Sequence, residues 1–152
     1  MNLSFADTLY FKKENILEII IGLHRSYKSL QGEIQTCCEM NNLTFNELLV
    51  LLEIRKGFIK KIDIANKIYI KKQNLNLIIK DLSKKKIIIT ENKKITVTKG
   101  GNETIEKTIN RINEKIIKIF KKTDPKNMAG FINIIESICC LLYTSDAADE
   151  VD

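Results

Sequence analysis

The chain has 152 residues, 44% of them hydrophobic and 29% charged, enough apolar content to build a core and exclude a disordered polymer. One proline, six glycines and no tryptophan leave few breakers, so a mainly helical chain is expected. The net charge is +6, and the most apolar stretch, Ile16 to Leu23, is short and broken by Glu18, which excludes a membrane span or signal peptide and points to a cytoplasmic protein.

The first periodic segment carries Ile16, Ile20, Leu23, Tyr27, Leu30, Ile34 and Cys37 at alternating steps of four and three. That is a helix with one continuous apolar stripe, expected to be buried. After Met40-Asn41-Asn42, the run Thr44-Phe45-Asn46-Glu47 has the form of a capping box, and a second helix runs to about Gly57. Phe58 to Lys60 reads as a small strand, and Ile62 to Ile68 as a third helix.

From Lys71 to Lys86 the apolar residues Leu75, Ile78, Ile79 and Leu82 define a buried face. The opposite face carries Gln73, Asn74, Asn76, Leu77, Lys80 and Lys84, and is polar, basic and rich in amides. The period then shortens: Ile87-Ile88-Ile89-Thr90 and Ile95-Thr96-Val97, separated by Glu91-Asn92-Lys93-Lys94, read as a β-hairpin.

Thr98 offers an N-cap to a helix striped by Ile105, Ile109, Ile112, Ile116 and Ile119. Asp124-Pro125 ends it and opens a last helix with Met128, Phe131, Ile132, Ile135, Ile138 and Cys139 on one face. Tyr143 to Asp152 is acidic, lacks a stripe and resembles a translated sequencing adapter. It is expected to lie outside the fold, disordered or foreign to the natural chain; without its four acids the formal charge is +10.

The charge is unevenly placed. Residues 1–54 come to −3 and residues 101–152 to −2, whereas residues 55–100 hold fourteen bases against Asp63, Asp81 and Glu91, a net of +11. A polyanion is the natural partner of such a segment, and a lysine-rich solvated face is the alternative. A short helix, a tight turn, a helix with a polar outer face and a basic hairpin form a winged helix-turn-helix. The major groove of DNA admits one helix, whose amide and cationic side chains can read base edges. Gln73, Asn74 and Asn76 suit base contacts, Lys71, Lys72, Lys80 and Lys84 suit phosphates, and Lys61, Leu77, Asn92, Lys93 and Lys94 complete the candidate DNA-binding set.

The chain here resembles the MarR family of regulators, including its staphylococcal SarA-like branch, over about Leu9 to Leu142. Four places carry the resemblance: Leu43-Thr44-Phe45-Asn46-Glu47-Leu48-Leu49-Val50-Leu51, Ile64-Ala65, Leu75 to Ile88, and Val97-Thr98-Lys99-Gly100-Gly101-Asn102-Glu103. It implies a homodimer in which the first and the last two helices of each chain intertwine, with two recognition helices in successive major grooves of a near-palindromic site. On that reading residues 1–42 are an N-terminal dimerisation helix, 43–99 the DNA-binding region, 100–142 the C-terminal dimerisation helices and 143–152 the tail. Ile16, Ile20, Leu23, Ile109, Ile112, Ile116, Phe131 and Ile135 are the candidate interface residues. The chain departs from the family in its wing, which offers Asn92, Lys93 and Lys94 in place of an aspartate-x-arginine, and at Lys86, where a glycine is common.

The cysteines form two adjacent pairs, Cys37-Cys38 and Cys139-Cys140, a spacing that fits neither a zinc ribbon nor a secreted disulfide framework. They read as small hydrophobes in the dimerisation helices, with thiol sensing as the alternative. One histidine, no metal cluster, no phosphate loop and no nucleophile–base pair argue against an enzyme, a metal or a cofactor. The reading is a homodimeric, sequence-specific regulator binding double-stranded DNA, with room for a small-molecule effector whose identity the residues do not indicate. The alternative is a winged-helix module that binds a protein partner without reading DNA.

Overall fold

A computed structural model of the chain describes residues 13–57, 60–92 and 94–146. Chain order is α1 (Lys13–Glu39), α2 (Phe45–Arg55), α3 (Lys61–Lys67), α4 (Lys72–Lys84), β1 (Ile88–Glu91), β2 (Lys94–Val97), α5 (Lys99–Phe120) and α6 (Pro125–Asp146). The fold is mainly α with one β-hairpin wing, as the periodicities imply. Of the stretch Phe58 to Lys60, Lys60 is the extended N-cap of α3, and the other two lie outside the described residues.

Three helices end by the same device, a left-handed residue other than glycine just past the last turn. Asn42, Tyr69 and Lys86 have φ of 57°, 54° and 58°. In each case the next residue donates its N–H back across the turn: Leu43 to the Cys38 carbonyl, Ile70 to Ala65 and Ile87 to Leu82, all at 3.0 Å. These are Schellman closures, which satisfy carbonyls that the helix end would leave unpaired. Lys86, placed where the family resemblance led one to expect glycine, adopts the backbone conformation that glycine would favour.

The capping box forms as the sequence implies. The Glu47 N–H donates to Thr44 Oγ1 at 3.1 Å and the Thr44 N–H donates to Glu47 Oε2 at 2.7 Å. This starts α2 at the turn that ends α1. Leu48, Val50, Leu51 and Ile54 of α2 then meet Ile64 and Ala65 of α3, Leu75, Ile79 and Leu82 of α4, Ile88 and Ile95 of the hairpin and Ile105 of α5 in one buried cluster. The hairpin is antiparallel, pairing Ile88 with Val97, Ile89 with Thr96, Thr90 with Ile95 and Glu91 with Lys94. Only Asn92 and Lys93 separate the strands, and Asn92 has φ of 48°, as two-residue hairpin turns demand.

The exit from the wing is fixed at the Ile87 carbonyl, which accepts from the Thr98 N–H at 2.9 Å and from Thr98 Oγ1 at 3.1 Å. Thr98 Oγ1 in turn accepts from the Gly101 N–H at 3.0 Å, the N-cap expected of this residue. Gly101 must lack a side chain, because a Cβ there would collide with the Ile87 carbonyl and the Val97 side chain.

Two units are distinguished, Met1–Glu114 and Lys115–Asp152. In the first, the α1 stripe is buried at its C-terminal end, where Cys37 and Cys38 lie, and Ile34 packs against the core. Ile16, Ile20, Leu23 and Tyr27 are exposed in the single chain, contrary to the continuous burial expected from their spacing. Ile109 and Ile112 of α5 pack against the core cluster. In the second unit, Asp124 caps α6 by accepting the Lys126 N–H at 2.7 Å, and Phe131, Ile132, Ile134, Ile135 and Ile138 are exposed. So are Cys139 and Cys140, in contrast to the burial expected of small hydrophobes. α6 continues to Asp146, past the boundary set at Leu142, and residues 147–152 lie outside the described residues.

Candidate nucleic-acid interface

α4 is built to present one face to the core and the other to solvent. Leu75, Ile79 and Leu82 are buried and Ile78 packs beside them, while Lys71, Lys72, Gln73, Asn74, Asn76, Leu77, Lys80 and Lys84 are all exposed. Every candidate that the sequence placed on this helix therefore stands on its outer surface. The buried residues recur at steps of four and three, so α4 is held in one rotational setting, and that setting determines which side chains face outward.

Partners within the chain distinguish the basic and amide residues from one another. Lys61 Nζ, at the start of α3, donates to Asn76 Oδ1 at 3.1 Å and ties the two helices of the motif together. Lys84 pairs with Asp81 at 3.4 Å on the same helix. Among the described residues, the side chains of Gln73, Asn74, Lys71, Lys72 and Lys80 make no hydrogen bond or ion pair, so their donors and acceptors are open to solvent. On the wing, Asn92 and Lys94 are exposed; Lys93 lies outside the described residues.

Lys85 belongs to the basic run in sequence but not to the outward face. Its Nζ donates to Glu47 Oε1 and Oε2 at 2.7 and 2.8 Å and to the Asn42 carbonyl at 2.9 Å, joining the end of α4 to the α1–α2 turn. Arg55 and Lys56 are likewise engaged, with Glu106 and Glu53, both at 2.7 Å. Sequence reasoning could not separate these bases from the available ones, because their acids lie on other elements or a turn away. It also passed over Tyr69, which is 74% exposed at the turn between α3 and α4; the signal was a helix–helix turn without glycine.

The thiols are unequal. Burial, with Cys37, Glu39 and Glu47 nearby, pushes Cys38 up from 9.0 to about 11, so the thiolate that oxidants and metals require is disfavoured. Among the described residues no group of His, Cys, Asp or Glu could hold a metal ion, and no helix is long and apolar enough to cross a membrane.

A helix–turn–helix whose second helix turns a basic, amide-rich face outward, followed directly by a two-stranded hairpin, defines a winged helix-turn-helix protein. No protein-family model matches the chain, and no curated protein does. Solved structures do. A MarR family protein from Bacillus stearothermophilus superposes with a TM-score of 0.77 at 11% identity, covering 88% of this chain and 99% of the other. NadR in complex with 4-hydroxyphenylacetate gives 0.72 at 18% identity, covering 83% and 98%. A Mycobacterium tuberculosis MarR family protein in complex with DNA gives 0.67 at 14% identity, covering 76% and 93%. The chain has the MarR-family fold.

Proposed function

We propose that this chain is a homodimeric transcription regulator without catalytic activity, which binds a near-palindromic duplex by setting α4 of each protomer into successive major grooves. The observation that carries this reading is the outer face of α4, on which open amides and lysines stand together while every apolar anchor but Leu77 is turned inward. Gln73 and Asn74 have both amide donor and acceptor free for base edges, and Lys71, Lys72 and Lys80 are placed for flanking phosphates. Asn92 and Lys94 of the wing follow the adjacent backbone. The solved neighbour in complex with DNA supports a nucleic-acid partner, and the one bound to 4-hydroxyphenylacetate supports including a small-molecule effector.

The dimer follows from apolar surface that a solitary chain leaves wet. Ile16, Ile20 and Leu23 on α1, and Phe131 and Ile135 on α6, are large exposed hydrophobics on helices otherwise regular in pattern. Such surface in a water-soluble protein marks an interface. Ile116 is half-buried, and Ile109 and Ile112 pack against the core, so these three contribute to the interface from partly buried positions.

In vitro selection of duplex sites by the purified chain, followed by competition with random duplex, tests the reading. A selected, two-fold symmetric site that random duplex fails to displace is the expected result. Equal competition by random duplex would reject sequence-specific reading in favour of a module that binds a protein partner.

A further inference from the structure

Leu77 does no packing work in this fold. It is 62% exposed, and it stands on the opposite side of α4 from Leu75 and Ile79, which are buried. Its neighbours at helical spacing are Gln73, Asn74, Lys80 and Asp81, the last paired with Lys84 a turn further on, so an isolated aliphatic side chain sits at the centre of the face that the preceding reading turns toward DNA. Nothing on α4 or the hairpin offers a guanidinium, the usual reader of guanine, because the three arginines are Arg25, Arg55 and Arg111. The residues that remain on the face are amides, which match adenine in bidentate fashion, lysines, Asp81 neutralised by Lys84, and one aliphatic group. In the major groove the apolar feature that an aliphatic side chain can meet is the 5-methyl group of thymine.

We propose that Leu77 is a specificity-determining residue that reads a thymine methyl in each half-site. This rests on the DNA-binding reading above and deepens it by naming the base and the atom recognised. Charge complementarity brings the duplex to the face through Lys71, Lys72 and Lys80, and the apolar contact then favours thymine over the other bases, because cytosine, adenine and guanine present no methyl there.

The test uses a selected duplex in which each thymine is replaced in turn by deoxyuridine, which pairs identically and lacks only the methyl. Affinities are measured for the full chain, for Leu77→Ala and for Leu77→Met. At one thymine per half-site, deoxyuridine should weaken binding of the unaltered chain about fourfold, the worth of one buried carbon group. Leu77→Ala should be indifferent to the same replacement, Leu77→Met should restore the difference, and the salt dependence should be the same throughout, since no charge changes. Leu77 is solvent-exposed, so the variants should keep the helical signal and melting temperature. The proposal is overturned if no thymine shows this coupling, whether because the unaltered chain ignores every replacement or because chain and variant lose equally. Failure of the underlying reading looks different: the unaltered chain would not prefer the selected duplex over random sequence, and both ideas would fall together.

Discussion

Lys85 and Glu47, 38 positions apart, meet in an ion pair with N–O distances of 2.7 and 2.8 Å in which the carboxylate is almost wholly buried. The same carboxylate closes the capping box of α2, so one side chain fixes the start of one helix and the end of another. Removing one member of a buried pair leaves the other charge uncompensated. Lys85→Ala should therefore cost about 2–3 kcal/mol in urea denaturation, at the lower end because the lysine is partly solvated. It should leave the salt dependence of DNA binding unchanged, whereas Lys71→Ala or Lys80→Ala should leave stability alone and lower the salt slope by about 0.9 each. A lowered slope for Lys85→Ala would mean that its charge reaches the duplex after all.

Left-handed residues other than glycine carry a steric cost. Lys86→Gly should relieve it and raise stability by about 0.5–1 kcal/mol, less the extra freedom that glycine gives the unfolded chain. A destabilised Lys86→Gly would show that the lysine side chain contributes more than its backbone costs.

The opposite holds at Gly101. A methyl group there meets the Ile87 carbonyl, a backbone atom already fixed by Thr98, so the neighbour cannot easily yield. Gly101→Ala should destabilise by about 1–3 kcal/mol and loosen the wing, seen as faster amide exchange at Thr98 and in the hairpin.

Exposure in the single chain selects the right probes of the proposed dimer. Ile20→Asp and Ile135→Asp change residues with no role in the core of their own units, so each should give a folded monomer by sedimentation, with DNA affinity reduced at least tenfold. Ile112→Asp would be a poor probe, since Ile112 packs on the core and its loss would unfold the chain. A dimer that survives both substitutions would remove these stripes from the interface.

Cys38 titrates high in the folded chain, at about 11 against 9.0. The folded state thus binds the thiol proton more tightly than the unfolded state, and the stability this provides is complete below pH 9 and lost as pH rises through 11. Between those values the unaltered chain should lose up to about 2 kcal/mol more than Cys38→Ala. For thiol sensing, serine at Cys37, Cys38, Cys139 and Cys140 should abolish any peroxide effect on DNA binding. An undiminished effect would exclude the thiols as sensors.

The order of elements, the two faces of α4, the hairpin and the caps at Thr44 and Thr98 are legible in the sequence because each rests on local spacing or on hydrogen bonds within a few residues. What escapes it is whatever depends on distant parts of the chain. Periodicity tells which side of α1 is apolar, from Ile16 to Tyr27, but not whether the same chain covers it. Composition counts Lys85 with Lys80, although one is committed to Glu47 and the other is open. Lys86 stands where the family resemblance makes glycine the expected residue, yet the left-handed turn persists, held by the Ile87 to Leu82 hydrogen bond and by the burial of Ile87 and Ile88.

The bond from Lys61 to Asn76 has a consequence for how a duplex would be searched. While Lys61 takes one lone pair of Oδ1, Asn76 keeps both amide hydrogens but only one acceptor site, so it meets a base with less acceptor capacity than Gln73 or Asn74. Should Asn76 turn Oδ1 wholly to an adenine, Lys61 would be released to take a phosphate instead. The sliding and the seated complexes would then differ in the partner of one lysine, and arrival at the correct sequence would be registered by a swap of hydrogen bonds between two helices.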